Sequence, residues 1–163
     1  MALAVEDGTG LAAADSLVSI AVALVYHAAM GNTAWAAATE AAQEIALRRA
    51  TQYIDNRYTY RGTKLTTTQA LAWPRVNYED GYTTEAWPVA NLKAACCEAA
   101  LRALSDTLQT DVAADQVTEE TVGPITVKYA LKSGQTRYPV VDSLLARYSV
   151  GGAGGGIRIE RAS

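Results

Sequence analysis

Residues 89–108 read VANLKAACCEAALRALSDTL. Two apolar stripes run along this stretch at helical spacing. One is Leu92, Cys96, Ala99 and Ala103; the other is Cys97, Leu101, Leu104 and Leu108. A surface helix buries one face, so two stripes predict contacts on two sides and a place at the centre of a helical bundle. Pro88 suits the first helical turn, where a missing N–H removes no hydrogen bond.

The flanking sequence supplies partners for that helix. Thr39 is a predicted N-cap, with Glu40 and Gln43 in the first turn behind it. Ala42, Ile45, Ala46, Ala50, Tyr53 and Ile54 then recur on one face of a helix expected to end near Asp55-Asn56. Glu44 and Arg48 form an i,i+4 pair on its wet side. Earlier, Ser19 can cap a helix from Ile20 to Met30, which Gly31-Asn32 would close. Trp35 falls in a connector. Residues 5–14, broken by Gly8 and Gly10, read as a flexible lead-in, and residues 56–66 as polar and turn-like.

Thr66 to Ala72 reads as a short helical piece that stops at Trp73, because Pro74 pushes the preceding residue toward extended geometry. Residues 76–86 read as an exposed loop. Beyond residue 111 the period changes to two. Gln116 to Val122 and Ile125 to Leu131 alternate around Gly123-Pro124, which predicts a β-hairpin at about 116–131 with Glu119, Lys128 and Lys132 outward. Pro139 opens a last helix, Val140 to Tyr148, with Val141, Leu144, Leu145 and Tyr148 on one face. The predicted fold class is mainly α: a small helical bundle with a β-hairpin insertion and an extended C-terminal arm. One domain covers residues 1–150. The run Gly151-Gly152-Ala153-Gly154-Gly155-Gly156 is a tether. Ile157-Arg158-Ile159-Glu160-Arg161 then alternates apolar and charged, as a segment would that adds a strand to another subunit.

The 163 residues are half hydrophobic, but much of that is alanine and none of it phenylalanine. Alanine buries little area per residue, so the core is thin and the chain is expected to lean on neighbouring copies. Nine tyrosines and three tryptophans supply most of the bulk. The net charge of -3 argues against a general nucleic-acid binder. It is unevenly spread. Residues 1–122 hold 8 Lys/Arg and 15 Asp/Glu, hence -7; residues 123–163 hold 6 and 2, hence +4. No apolar run is long enough to span a bilayer, and the acidic start does not resemble a signal peptide.

Residues suited to catalysis are scarce. One histidine, His27, is expected to be solvated near the end of the first helix. The adjacent Cys96 and Cys97 lack C-x-x-C spacing and read as free thiols in a helix. The glycine run lacks the lysine and Ser/Thr of a phosphate-binding loop. No carboxylates are spaced for paired acid and base roles. The expectation is a non-enzyme with no catalytic residue, no metal and no cofactor. Arg57, Tyr58, Tyr60, Arg61, Trp73 and Arg75 interleave cations with aromatics. They would serve a polar oligomer interface, or stack and neutralise a single strand. Trp73 is expected to be buried within the subunit, leaving Arg75 free to reach a neighbouring copy.

An ordered set of motifs points further. It runs Val5-Glu6-Asp7-Gly8-Thr9-Gly10-Leu11, Trp35, Leu47-Arg48-Arg49-Ala50-Thr51-Gln52-Tyr53-Ile54-Asp55 and Gln69-Ala70-Leu71-Ala72-Trp73-Pro74-Arg75. Leu92-Lys93, Glu98-Ala99-Ala100-Leu101 and Val122-Gly123-Pro124-Ile125-Thr126-Val127 follow. Over about residues 5–148 this resembles the head–tail connector (adaptor, or head-completion) proteins of tailed bacteriophages. Some members of that group carry the label DnaT-like single-stranded-DNA-binding. The resemblance implies a homo-oligomeric ring, typically of twelve, under the portal protein in the virion neck. It implies assembly in the host cytoplasm, a downstream neck or tail protein as partner, and double-stranded DNA passing through the lumen without sequence-specific binding. No membrane is involved. The tail residues Ile157, Arg158, Ile159, Glu160 and Arg161 would dock on the portal. The alternative is a single-stranded-DNA-binding accessory protein using Tyr58, Tyr60, Trp73 and the nearby arginines. The first helix is more aliphatic than the group's pattern, which suggests burial by a neighbouring copy.

Overall fold

The computed structural model describes residues 2–78, 87, 89–109, 119–122, 125–128 and 136–150. Among these, five helices dominate: α1 (Ile20–Ala29), α2 (Thr33–Ala37), α3 (Glu40–Arg57), α4 (Ala90–Ala103) and α5 (Pro139–Leu145). Two antiparallel strand pairs accompany them. β1 (Thr63–Lys64) pairs with β2 (Arg75–Val76), and β3 (Glu119–Val122) with β4 (Ile125–Lys128). The protein is mainly α with a small hairpin, as the sequence predicts.

The central position of the 89–108 stretch is confirmed. α4 packs on α3, α5 and α1. Leu92, Cys96, Ala99 and Ala103 are buried along one stripe; on the other, Cys97 and Leu108 are buried and Leu101 and Leu104 half-buried. The helix is shorter than the pattern suggests. It stops at Ala103, where the amides of Ser105 and Asp106 both donate to the Arg102 carbonyl, at 3.2 and 3.0 Å. Pro88 lies outside the described residues, so its predicted role at the helix start does too. Cys96 and Cys97 are free and sealed in the core. Burial pushes the Cys96 thiol up to about 12 and that of Cys97 further still.

α3 begins where Thr39 dictates. Its Oγ1 accepts from the Ala42 amide at 3.3 Å. The helix runs one residue past the predicted Asp55-Asn56 end, to Arg57. Its buried face is Gln43, Ala46, Leu47, Ala50, Thr51, Tyr53 and Ile54. Ile45, assigned by the pattern to that face, is half exposed. It sits two residues before Leu47, nearly opposite on the helix, and Leu47 takes the core position. Small residues on α3 (Ala46, Ala50) and α4 (Ala95, Ala99, Ala100) let the two helices approach closely. The Glu44–Arg48 pair forms at 3.3 Å, and Arg48 also meets Asp15 at 2.6 Å.

α1 starts at Ser19, whose hydroxyl accepts from the Val22 amide at 3.3 Å. Gly31 closes it with φ of 71°. Three expectations for this end of the molecule are corrected. Trp35 is not in a connector; it is fully buried in α2, and its carbonyl accepts from Gln43 Nε2 at 2.8 Å. His27 is not solvated. It has no exposed surface, packs on the Trp35 ring at 4.8 Å, and burial lowers its pKa. The 5–14 lead-in is ordered around Glu6, which is 3% exposed. Its carboxylate accepts from the amides of Gly8, Gly10 and Leu11, each at 2.9 Å, and Val5 forms a bridge with Ser16. Loops bury charge only when it is satisfied, and three amide donors satisfy this one.

The paired strands of the hairpin are confirmed at Glu119–Val122 and Ile125–Lys128, with Val122 facing Ile125 in the register. Gly123, Pro124, the rest of 116–131 and the side-chain directions expected for Glu119, Lys128 and Lys132 lie outside the described residues. So do most of the 76–86 loop and the arm 151–163. α5 begins at Pro139, as predicted, and buries Val141 and Leu145, with Tyr148 buried just beyond it.

Candidate functional site

The interleaved segment from Arg57 to Arg75 falls between the C-terminus of α3 and the following loop. Tyr58 and Tyr60 are both buried. What buries them is the chain after α5. Tyr60 bridges Ser149, the Arg61 amide donates to the Tyr148 carbonyl at 2.9 Å, and the Val150 amide donates to the Thr59 carbonyl at 2.7 Å. The Tyr58 hydroxyl donates to Asp142 on α5 at 2.6 Å, and the Tyr60 hydroxyl to the Ile54 carbonyl at 3.1 Å. Burial, and then the Asp142 bond, push the Tyr58 pKa far above its usual range. A segment composed like a turn is therefore part of the core.

Trp73 has no exposed surface, as expected. Its indole packs on Tyr60 (5.5 Å between centroids), Tyr78 (4.8 Å) and Tyr148 (5.9 Å), mostly edge to face, and on Trp87 (6.5 Å). Such geometry adds to the area term for aromatic pairs. The Trp73-Pro74 peptide is cis. Thr66 to Ala72 is not helical, contrary to the sequence reading. The Gln69 side chain organises it instead. Its Nε2 donates to the carbonyls of Leu71 (2.9 Å) and Pro74 (3.0 Å), while its Oε1 accepts from the Thr66 amide (2.9 Å). The Asp55 carboxylate accepts from the Ala72 amide at 2.8 Å. Burial raises the Asp55 pKa against the pull of that bond and of Lys64 and Arg75.

Arg75 is not free to reach a neighbour. Its guanidinium donates to four backbone carbonyls: Gly62 at 2.6 Å, Arg61 at 2.7 Å, Ala72 at 3.1 Å and Tyr60 at 3.4 Å. It ties the β1 side of the loop to the β2 side. Gly62 makes this approach possible. Its φ is 71°, and a Cβ there would collide with the Val76 carbonyl oxygen. Of the six candidates, Tyr58, Tyr60, Trp73 and Arg75 are thus committed within the chain. Arg57 is half-buried and Arg61 exposed. Neither the aromatic subunit interface expected of these residues nor the alternative single-strand stacking platform is presented at the surface, because the rings are buried within the chain.

The surface offers other features. α1 carries no charged residue, yet Ala21, Val22, Leu24, Val25, Ala28 and Ala29 face outward; Val25 is 71% exposed. Contiguous apolar surface of this kind marks contact sites. Beside it a cavity of about 370 Å³ opens between α1 and α2, lined by Leu24, His27, Ala28, Asn32, Trp35 and Ala36. Asn32 Nδ2 sits 3.2 Å from His27 Nδ1; His27 Nε2 and Trp35 Nε1 have no hydrogen-bond partner. Sequence reasoning missed this cavity, because it treated His27 as solvated and Trp35 as loop. A second opening of about 300 Å³ is lined by Arg49, Gln52, Tyr53, Asn56, Thr107 and Gln109.

Among the described residues, no cluster of three or more His, Cys, Asp or Glu could hold a metal ion, and no helix is long and apolar enough to cross a membrane. No curated protein and no solved structure matches the chain. A family model does match, over residues 1–162, and the chain belongs to that family, described as "Putative DnaT-like ssDNA binding protein".

Proposed function

We propose that this is a non-enzymatic assembly protein: a head–tail connector subunit that works as a homo-oligomeric ring in a phage neck. In this reading it contacts a portal on one side and a neck or tail protein on the other. It would be assembled in the host cytoplasm, and DNA would pass through its lumen. The observation that carries the reading is α1, a charge-free helix with six of its ten residues outward. A lone protomer leaves that surface in water, and a neighbouring copy would cover it. The thin alanine core supports it as well. A mass measurement in solution tests it. A ring is expected, and Val25→Glu, which places a charge on the face without touching the core, is expected to dissociate it. A wild-type protein that stays monomeric at high concentration overturns the reading.

The family description favours a second reading, a single-stranded-DNA-binding accessory protein, over the first. Exposed cations support it: Arg49, Arg61 and Lys64 lie on or beyond the C-terminal half of α3. With Tyr58, Tyr60 and Trp73 buried, affinity would come from phosphate contacts and fall steeply with salt. Titration of a thymidine oligonucleotide at low and high salt separates the two. Salt-sensitive binding that weakens in Arg61→Ala selects this reading; no binding at low salt removes it.

A further inference from the structure

Arg49, Gln52, Tyr53 and Asn56 recur at i, i+3, i+4 and i+7, so they share one face of α3. Thr107, Leu108 and Gln109, just past α4, close an opening of about 300 Å³ against that face. We propose that this opening binds one nucleotide, with its phosphate on Arg49 and its base edge on the carboxamides of Gln52, Asn56 and Gln109.

The wall selects an anion. Among the described residues Arg49 is its one charged side chain; Asp106, next to Thr107, is outside it. Arg48 is held by Asp15 and Glu44, whereas Arg49 is exposed and forms no ion pair among the described residues. Arg57 lies one turn beyond Tyr53 on the same face and is in no such pair either. Burial raises the Tyr53 pKa, and the charge of Arg57 works against it. Two uncommitted guanidinium groups on one face, with no carboxylate in the wall, suit a phosphate.

A phosphate alone would leave most of the wall unused. A carboxamide offers a donor and an acceptor together, the pairing that matches a base edge. Of the three, only that of Asn56 is engaged, its Nδ2 donating to the Gln52 carbonyl at 2.9 Å. Buried Tyr53 and Leu108 supply an apolar floor. The Tyr138 hydroxyl donates to the Leu108 carbonyl at 3.3 Å, so the far wall is held in place from the start of α5. The volume stands at the low end for ligand pockets, which suits one nucleotide unit and not a large cofactor. As a contact to a strand, the site rests on the single-strand reading above and gives it the base contact that buried Tyr58, Tyr60 and Trp73 cannot make. A free nucleotide has the same chemistry.

The side-chain NH₂ signals of the ¹⁵N-labelled full chain test it, in titrations at low salt with thymidine monophosphate, thymidine, inorganic phosphate and a thymidine oligonucleotide. The monophosphate should shift the signals of Gln52, Asn56 and Gln109, and thymidine should bind about tenfold more weakly. Arg49→Ala should weaken the monophosphate about tenfold, which is about 1.4 kcal/mol, with the melting curve unchanged. An oligonucleotide that moves the same signals at equal or lower concentration supports the strand as the source. One that leaves them still while the monophosphate moves them supports a free nucleotide and removes the strand from this site. Inorganic phosphate that matches the monophosphate overturns the base contact. An oligonucleotide that moves only other signals, with no response to the monophosphate, overturns the site and leaves the single-strand reading standing. No binding of any of the four overturns both.

Discussion

Arg75 holds two halves of a loop by donating to four carbonyls, so its removal leaves several acceptors short of a partner at once. Arg75→Ala should cost about 2–4 kcal/mol in a denaturant titration. Arg75→Lys should recover little of it, because an ammonium lacks the planar fork that spans these oxygens. Trp73→Ala should cost about 3–5 kcal/mol by the same measurement, since the indole is wholly enclosed. Of these two neighbours, the burial of Trp73 was legible in the sequence and the role of Arg75 was not. A tryptophan before proline has its direction restricted by local sterics. An arginine's partners here are main-chain oxygens 3 to 15 residues away, and no side-chain pattern announces them. His27 is misread for a related reason. A histidine near a helix end is normally wet, and here the rings of Tyr26 and Trp35 pack on it and leave it no exposed surface. Its pKa is lowered mainly by burial, against the field of Glu98. The unfolded chain therefore binds this proton more readily than the folded one. Stability should fall as pH drops below about 6.5, the ordinary histidine value. Melting temperatures between pH 7.5 and 5.5 should show that decline, and His27→Gln should flatten it.

At the scale of elements, legibility follows the range of the cause. α1, α3 and α5 begin at Ser19, Thr39 and Pro139, where short-range capping or proline rules place them. Thr39→Ala should cost about 1 kcal/mol and be visible in thermal melts. The hairpin strands follow from period-two alternation on either side of Gly123-Pro124. Misreadings cluster where side chains bond to main chain over a few residues. Glu6 turns an apparently loose lead-in into a closed loop, and Gln69 does the same for a segment that propensity alone makes helical. Glutamate and glutamine are good helix formers, so composition conceals these roles. Glu6→Ala should leave three amides without their acceptor and loosen residues 4–16. Hydrogen exchange of Gly8, Gly10 and Leu11 is the measurement that shows it.

For the whole molecule, the balance of surfaces matters more than any one residue. The aromatics that could have made a nucleic-acid platform are used to seal the α3–α5 end. Exposed large apolar side chains are densest on α1, at Val22, Leu24 and Val25, while Ile45, Leu65, Val76, Val140 and Val150 lie singly elsewhere. A chain so divided is suited to self-contact, and the family it belongs to carries a nucleic-acid name. The two are reconciled or separated by measuring mass and oligonucleotide binding on the same preparation. A Val25→Glu variant that becomes monomeric yet keeps any DNA affinity would show that the two properties are independent.

The paired thiols of α4 carry a practical consequence. Cys96 and Cys97 have no exposed surface, and burial holds both thiols protonated. Alkylating reagents attack the thiolate, so neither sulfur should react while the bundle is closed. Labelling then proceeds only through openings that separate α4 from its neighbours. Its rate at low reagent strength is an internal clock for global opening, readable by mass in a crude mixture and without any engineered probe.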